Sequence, residues 1–475
     1  MIDAPPSALP DLLVNVPYDA LRVGQTAEQS RTLGRDDIAA FAAVSGDVNP
    51  AHLDPAYAET TRFHGVVAHG MWGAALISRL LGTCLPGPGT IYLGQTLRFL
   101  RPVRIGDTLR VHACVLSKED GKRRVELQCE IRNQTGALVL DGIASVIAPA
   151  VRVSLPRTHL PQLYLFDSAA RFSALLAHAA GLAPLRCAVV HPCDAMALEG
   201  ALDAAARGLI LPVLVAPAAR LRAAAAACGR SLDGIVSVEV AHSSAAAEQA
   251  AAMAAAGEVA LLMQGSLPLD ELLQAVDAHA ALRTGRLLSH VCHLDTPACD
   301  RPLLLSDAVL NLRPTLDEKA AIIRNAIELA QALGMAEPRL AILAAQDTIT
   351  PKLASTLDAA ALCKMAQRQQ IRGALLDGPL TLASAIAPSA ALRHGLPQQV
   401  AGQADILIAP DMESGSMLAG QLECLAGACA CGLITGAAVP IALSNGSDSK
   451  ESRVAAAAMA LVLAHHQSGK RLPAS

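Results

Sequence analysis

The stretch that decides the fold of the first part of the chain is HGMWGAALISRLLG, His69 to Gly82. Its apolar residues recur at helical spacing, and Gly82 supplies a stop. Four segments of strand length follow it: IYLGQTLRFL (91–100), DTLRVHACVLS (107–117), RRVELQCEIRN (123–133) and LVLDGIASVIA (138–148). They alternate or run apolar, and GD and EDGK turns separate some of them. One long helix against a run of neighbouring strands predicts an antiparallel sheet wrapped around that helix.

Upstream lies VSGDVNPAHLD, Val44 to Asp54, with Asp47, Asn49 and His52 inside six positions. Residues five apart are not neighbours on one helix face, and Pro50 biases Asn49 away from helical geometry. The stretch therefore reads as a loop that crowds an acid, an amide and an imidazole. Asp47 and His52 suit acid–base work at short range. Asn49 suits side-chain to backbone bonds that fix the loop, and it is expected among the substrate-binding residues. Gly70 opens the long helix, where a backbone N–H is a ready donor to a developing oxyanion. Adding water across a conjugated double bond needs those three parts. His64 and His69 stand near His52 in sequence, but as loop and helix-start residues they give no reason to expect a metal.

The whole chain has 475 residues and a formal net charge of −4, room for two or three domains of about 150 residues each. Without a Lys/Arg block, no nucleic-acid partner is expected. The opening MIDAPPSALPDLL lacks a basic segment ahead of an apolar one, so no secretory signal is expected. The uncharged run from Cys424 to Ser447 is long enough to span a bilayer. Gly427, Gly432, Gly436, Pro440 and Gly446 break it, which favours a buried helix, turn and strand and no membrane partner. Twelve cysteines without a CxxC pair fit buried thiols in a reducing cytoplasm.

Aromatic residues mark the division of the chain. Seven of ten lie before residue 100, and none follows Phe172. Two cores of different composition imply two units: residues 1–150, a linker at 151–164 that begins within PAVRVSLPRTHLP (149–161), and residues 165–475. The second unit alternates short apolar runs, among them LRCAVVHP, LILPVLVAP, EVALLMQG, RLAILAAQ, IRGALLDG, ADILIAP and AVPIALSNG, with longer helical stretches. That pattern predicts an α/β unit with a mainly parallel sheet.

Two resemblances sharpen both readings. FAAVSGDVNPAHL (41–53), RFHGVVAHGMWGAALISRLLG (62–82) and IYLGQTLRFLRPVRIGDTL (91–109) resemble, in order, the motifs of the MaoC-like (R)-specific enoyl-CoA hydratases. The resemblance implies an α+β hotdog fold, Asp47 and His52 as the catalytic pair, Gly70 as oxyanion donor, and Ser78 in the pocket. It also implies a homo-oligomer and no cofactor beyond the acyl-CoA substrate. LRTGRLLSHV, LNLRPTLDEKAAIIRNAIELAQALGM, VAGQADILIAPDMESGSML and TGAAVPIAL are similar to segments of the phosphate acetyl/butyryltransferases, which exchange an acyl group between CoA and inorganic phosphate. That family implies an α/β/α fold, acyl phosphate as the other partner, and Ser444, Asn445 and Asp448 in the binding loop.

Several of that family's expected residues are replaced. Read without gaps, Asn445 and Gly446 stand where a Ser-Arg pair is expected; a shifted alignment puts Asn445 at the Arg, neither supplies a cation, and Gln264 stands where a Lys is expected. Two functions follow: hydratase and acyltransferase in one chain, or a hydratase whose second unit senses acyl-CoA or directs assembly without catalysis.

Overall fold

In the computed structural model, residues 12–156, 172–297, 299, 301–443 and 449–471 are described. The chain divides into two compact units, residues 1–165 and 166–475.

The first unit runs β1 (Leu12–Val14), β2 (Thr26–Thr32), α1 (Arg35–Ser45), α2 (Pro50–Leu53), α3 (Pro55–Thr60), α4 (Gly70–Thr83), β3 (Ile91–Phe99), β4 (Thr108–Glu119), β5 (Arg124–Arg132), β6 (Leu138–Ile147) and β7 (Ser154–Pro156). Five strands form an antiparallel sheet in the order β2-β4-β5-β6-β3. Period-two side chains place Leu109, Val111, Ala113 and Val115 of β4 and Val125, Leu127, Cys129 and Ile131 of β5 on the buried face. Trp72, Ile77, Leu80 and Leu81 of α4 meet that face. Each such side chain contributes about 1.5–3 kcal/mol by leaving water. Gly73 lets α4 approach closely, since a Cβ there would lie 3.3 Å from Leu140 Cδ1.

Two expectations change. α2 is a turn of helix inside the expected loop, so His52 is helical while Asp47 and Asn49 remain outside it. Ser154–Pro156, within the expected linker, pairs with Leu12–Val14 in a second, two-stranded sheet.

In the second unit the strands are β8 (Leu185–Val190), β9 (Ile210–Ala216), β10 (Val236–Glu239), β11 (Leu261–Gln264), β12 (Ser289–Asp295), β13 (Leu303–Ser306), β14 (Arg339–Leu343), β15 (Leu375–Leu380), β16 (Ile406–Ile408), β17 (Cys429–Thr435) and β18 (Ile441–Ala442). They form one sheet ordered β10-β9-β8-β11-β18-β17-β12-β13-β16-β14-β15. Both wings are parallel, and the centre turns antiparallel where β12 pairs with β13 and β17. Helix Lys450–Arg471 buries Val454 to Leu463 without interruption, which explains its Ala-rich composition: small side chains let it lie within the core. The long uncharged run becomes the end of helix Met412–Ala426, then β17 and β18. Among the described residues no helix is long and apolar enough to cross a membrane.

Candidate active site

Local chemistry shapes the loop that carries Asp47. α1 ends at Gly46, whose φ of 74° is readily adopted by glycine. The Asp47 N–H donates to Ser45 Oγ at 3.2 Å, and Asp47 Oδ1 accepts the Asn49 N–H at 3.3 Å. Asn49 caps α2 by accepting the Ala51 N–H at 3.1 Å. Asn49 thus has the loop-fixing contact expected of it, and it does not line the neighbouring cavity.

That cavity, about 260 Å³, is lined by His52, His69 and Gly70 and by apolar side chains that include Phe63, Trp72 and Phe99. His52 Nδ1 lies 2.8 Å from the Val67 carbonyl oxygen. A carbonyl only accepts, so Nδ1 carries the proton, and in the neutral ring Nε2 keeps its lone pair. The same reasoning fixes His69: its Nε2–H donates to the Asp47 carbonyl at 3.0 Å. His69 is buried, its Nδ1 has no hydrogen-bond partner among the described residues, and its ring centroid lies 4.0 Å from that of His52. Ligand atoms of Asp47, His52 and His69 fall within 4.8 Å of one another. Asp47 itself is exposed, at the outer side of this cluster.

Gly70 is the first residue of α4 and follows His69, whose ψ of 134° is outside the helix. Its N–H has no acceptor within the helix. A Cβ at Gly70 would lie 3.1 Å from Phe99 Cε1, so glycine keeps this approach open. Ser78 differs from expectation. It is exposed and does not line the cavity, because eight residues at 1.5 Å each carry it about 12 Å along the helix from Gly70.

The second unit's expected binding residues, Ser444, Asn445 and Asp448, lie outside the described residues. The two cations nearest in sequence are already engaged. Arg453 is buried, with Cβ and Cδ 2.8 and 2.9 Å from where a Cβ on Gly200 would stand. Burial pushes the Asp194 carboxyl up, but bonds from Ser266 and the Ala197 N–H and the charge of Arg453 bring it below the usual range. Lys450 Nζ lies 3.6 Å from Asp203. Gln264 is buried, and its side-chain amide donates to the Leu267 carbonyl at 2.9 Å.

Sequence reasoning assigned no role to RTGR, which lines a second cavity of about 410 Å³ with Gly436 and Ala437. Thr284 Oγ1 donates to the Gly436 carbonyl. Arg286 reaches Glu328 and Asn325, both at 2.5 Å, while Arg283 is exposed. Gly436 has a φ of 103°, and a Cβ there would collide with the Leu287 carbonyl.

Comparison with known proteins places both units. Residues 239–461 match the family described as phosphate acetyl/butaryl transferase, and residues 20–135 match the MaoC like domain. A phosphate acetyltransferase of Rhizobium meliloti is 47% identical over 295 residues, which cover 62% of this chain and 93% of that protein. A branched-chain phosphotransacylase from Enterococcus faecalis V583 is 26% identical, with a TM-score of 0.53, covering 59% of this chain and 99% of its own. The R-hydratase PhaJ1 from Pseudomonas aeruginosa is 50% identical, covers 33% of this chain and 99% of its own, and has a TM-score of 0.32. The chain belongs to the phosphate acetyl/butyryl transferase family, with a MaoC-like domain ahead of the transferase unit.

Proposed function

We propose that this is a bifunctional acyl-CoA enzyme. The first unit hydrates trans-2-enoyl-CoA to (R)-3-hydroxyacyl-CoA, and the second transfers acyl groups between CoA and inorganic phosphate. The observation that carries the hydratase reading is the His52 bond to the Val67 carbonyl, which leaves Nε2 as an acceptor on a ring with a nitrogen within 4.8 Å of an Asp47 carboxylate oxygen. Water held by these two groups gives its hydroxyl to C3 of the enoyl thioester, and His52 Nε2 takes the proton. Negative charge grows on the thioester oxygen, where the Gly70 N–H meets it. The proton held by the His52–Asp47 pair is then delivered to C2, which returns His52 to its neutral form, and the added atoms sum to one water. No metal or organic cofactor is required by this chemistry.

In the second unit a phosphate oxygen attacks the thioester carbonyl, and CoA leaves as the thiolate. The family relationship supports this reading over a purely sensory unit. The test is two assays on one preparation: hydration of crotonyl-CoA, and phosphate-dependent release of CoA from acetyl-CoA and butyryl-CoA. CoA release that does not depend on phosphate leaves only the hydratase.

Assembly as a homo-oligomer is supported by apolar side chains left exposed along the edge strand β3, among them Ile91, Leu93 and Phe99, and by Val44 and Val48 beside Asp47. Cytoplasmic placement is supported by twelve cysteines that contain no CxxC pair.

A further inference from the structure

The cavity of the first unit has an apolar interior and a charged lining of one sign. Arg62 and Arg101 both line it, and no Asp or Glu does. Neither arginine contributes to the catalytic chemistry described above. Both are exposed, and neither makes an ion pair among the described residues.

Their surroundings hold them in place. Arg62 lies over the Phe63 ring, its guanidinium carbon 4.8 Å from the centroid. The backbone that follows is pinned from another direction: Arg104 donates to the Phe63 carbonyl and, at 3.3 Å, to the His64 carbonyl. Arg101 spends one nitrogen, Nη1, on the Leu138 carbonyl at 2.5 Å. A guanidinium carries five N–H donors in a fork that matches phosphate oxygens, so most of that fork stays available.

Resting on the hydratase reading, we propose that Arg62 and Arg101 form the phosphate-binding site for the carrier that brings the acyl chain. The apolar interior accepts the enoyl group, and the two guanidiniums bind a phosphate of the pantetheine-linked carrier outside it. This makes the unit selective for phosphorylated thioesters over neutral ones. The chemistry recognised is phosphate, which occurs both at the phosphopantetheine end shared by CoA and acyl carriers and at the nucleotide end of CoA alone.

The experiment compares three crotonyl thioesters, those of CoA, 4′-phosphopantetheine and pantetheine, as substrates of the full chain and of its Arg62→Gln and Arg101→Gln variants. The readout is the ratio of kcat/KM for each phosphorylated ester to that for the pantetheine ester. Wild-type protein is expected to favour the phosphorylated esters, and each variant to lower that preference about tenfold, as for loss of one charge-assisted hydrogen bond. A fall with the phosphopantetheine ester places the contact at the shared phosphate. A fall with the CoA ester alone places it at the nucleotide phosphates. Arg62→Lys is expected to recover part of the preference. An unchanged ratio, or equal losses on all three esters, overturns the proposal. A wild-type chain that hydrates none of the three overturns the hydratase reading itself, and the proposal with it.

Discussion

The Nε2–H of His69 donates to the backbone carbonyl of Asp47 across 3.0 Å, tying the start of α4 to the loop that carries the acid. The same ring lies against His52 and, at 5.1 Å, against Phe41. One buried side chain thus positions both members of the acid–base pair. His69→Phe preserves a ring for these contacts and removes the donor. The expected result is a fall in kcat of about tenfold or more, since misplacing a catalytic group by 1 Å can cost ~10²-fold. Full kcat in the variant would leave His69 as filling only.

Gly70→Ala separates approach to the oxyanion donor from stability of the helix. Alanine is the better helix former by about 1 kcal/mol, so thermal stability is expected to hold. The added Cβ meets Phe99 at 3.1 Å on the substrate side. Hydration of crotonyl-CoA is expected to fall by at least tenfold, with partial recovery in the double variant that also carries Phe99→Leu. Full activity in the single variant would remove Gly70 from the site.

The second unit carries a pH dependence of its own. Burial pushes the imidazoles of His290 and His293 in β12 down to about 4, in each case against the pull of a nearby aspartate. The ordinary value is about 6.5. Between those limits the unfolded chain binds protons that the fold excludes, so stability falls as pH drops from about 6.5 towards 4. Above that window the two states bind protons alike and the effect is absent. His293→Leu is expected to shrink the loss in thermal stability between pH 7 and pH 5. An identical pH dependence in the variant would show that His293 does not carry it.

The parts of this molecule that announced themselves in sequence have local causes. The stripe on α4 and the alternation in β4 and β5 are readable because their burial partners repeat at the period of the backbone. β2, TAEQSRT, was not readable: it is an edge strand with mostly exposed polar side chains, and pairing to β4 makes it a strand. β12, SHVCHLD, hides for the opposite reason, since His290 and His293 interrupt an apolar run yet are fully inside. In the site, Asp47, Asn49 and His52 stand together in six positions. His69 acts on a carbonyl twenty-two residues upstream, and backbone acceptors leave no mark in sequence. Ser78, which the resemblance puts in the pocket, lies at the surface of the single chain.

The most direct test of the central claim is the rate at which the purified full chain hydrates crotonyl-CoA, compared with Asp47→Asn and His52→Gln. Loss of a positioned acid or base typically costs ~10²–10⁴ in rate. Both side chains are at least partly exposed, so the variants are expected to fold. The account predicts conversion to the 3-hydroxy thioester by the wild type and at least a hundredfold loss in each variant, with thermal unfolding unchanged. Turnover within a few-fold of wild type in either variant would contradict it.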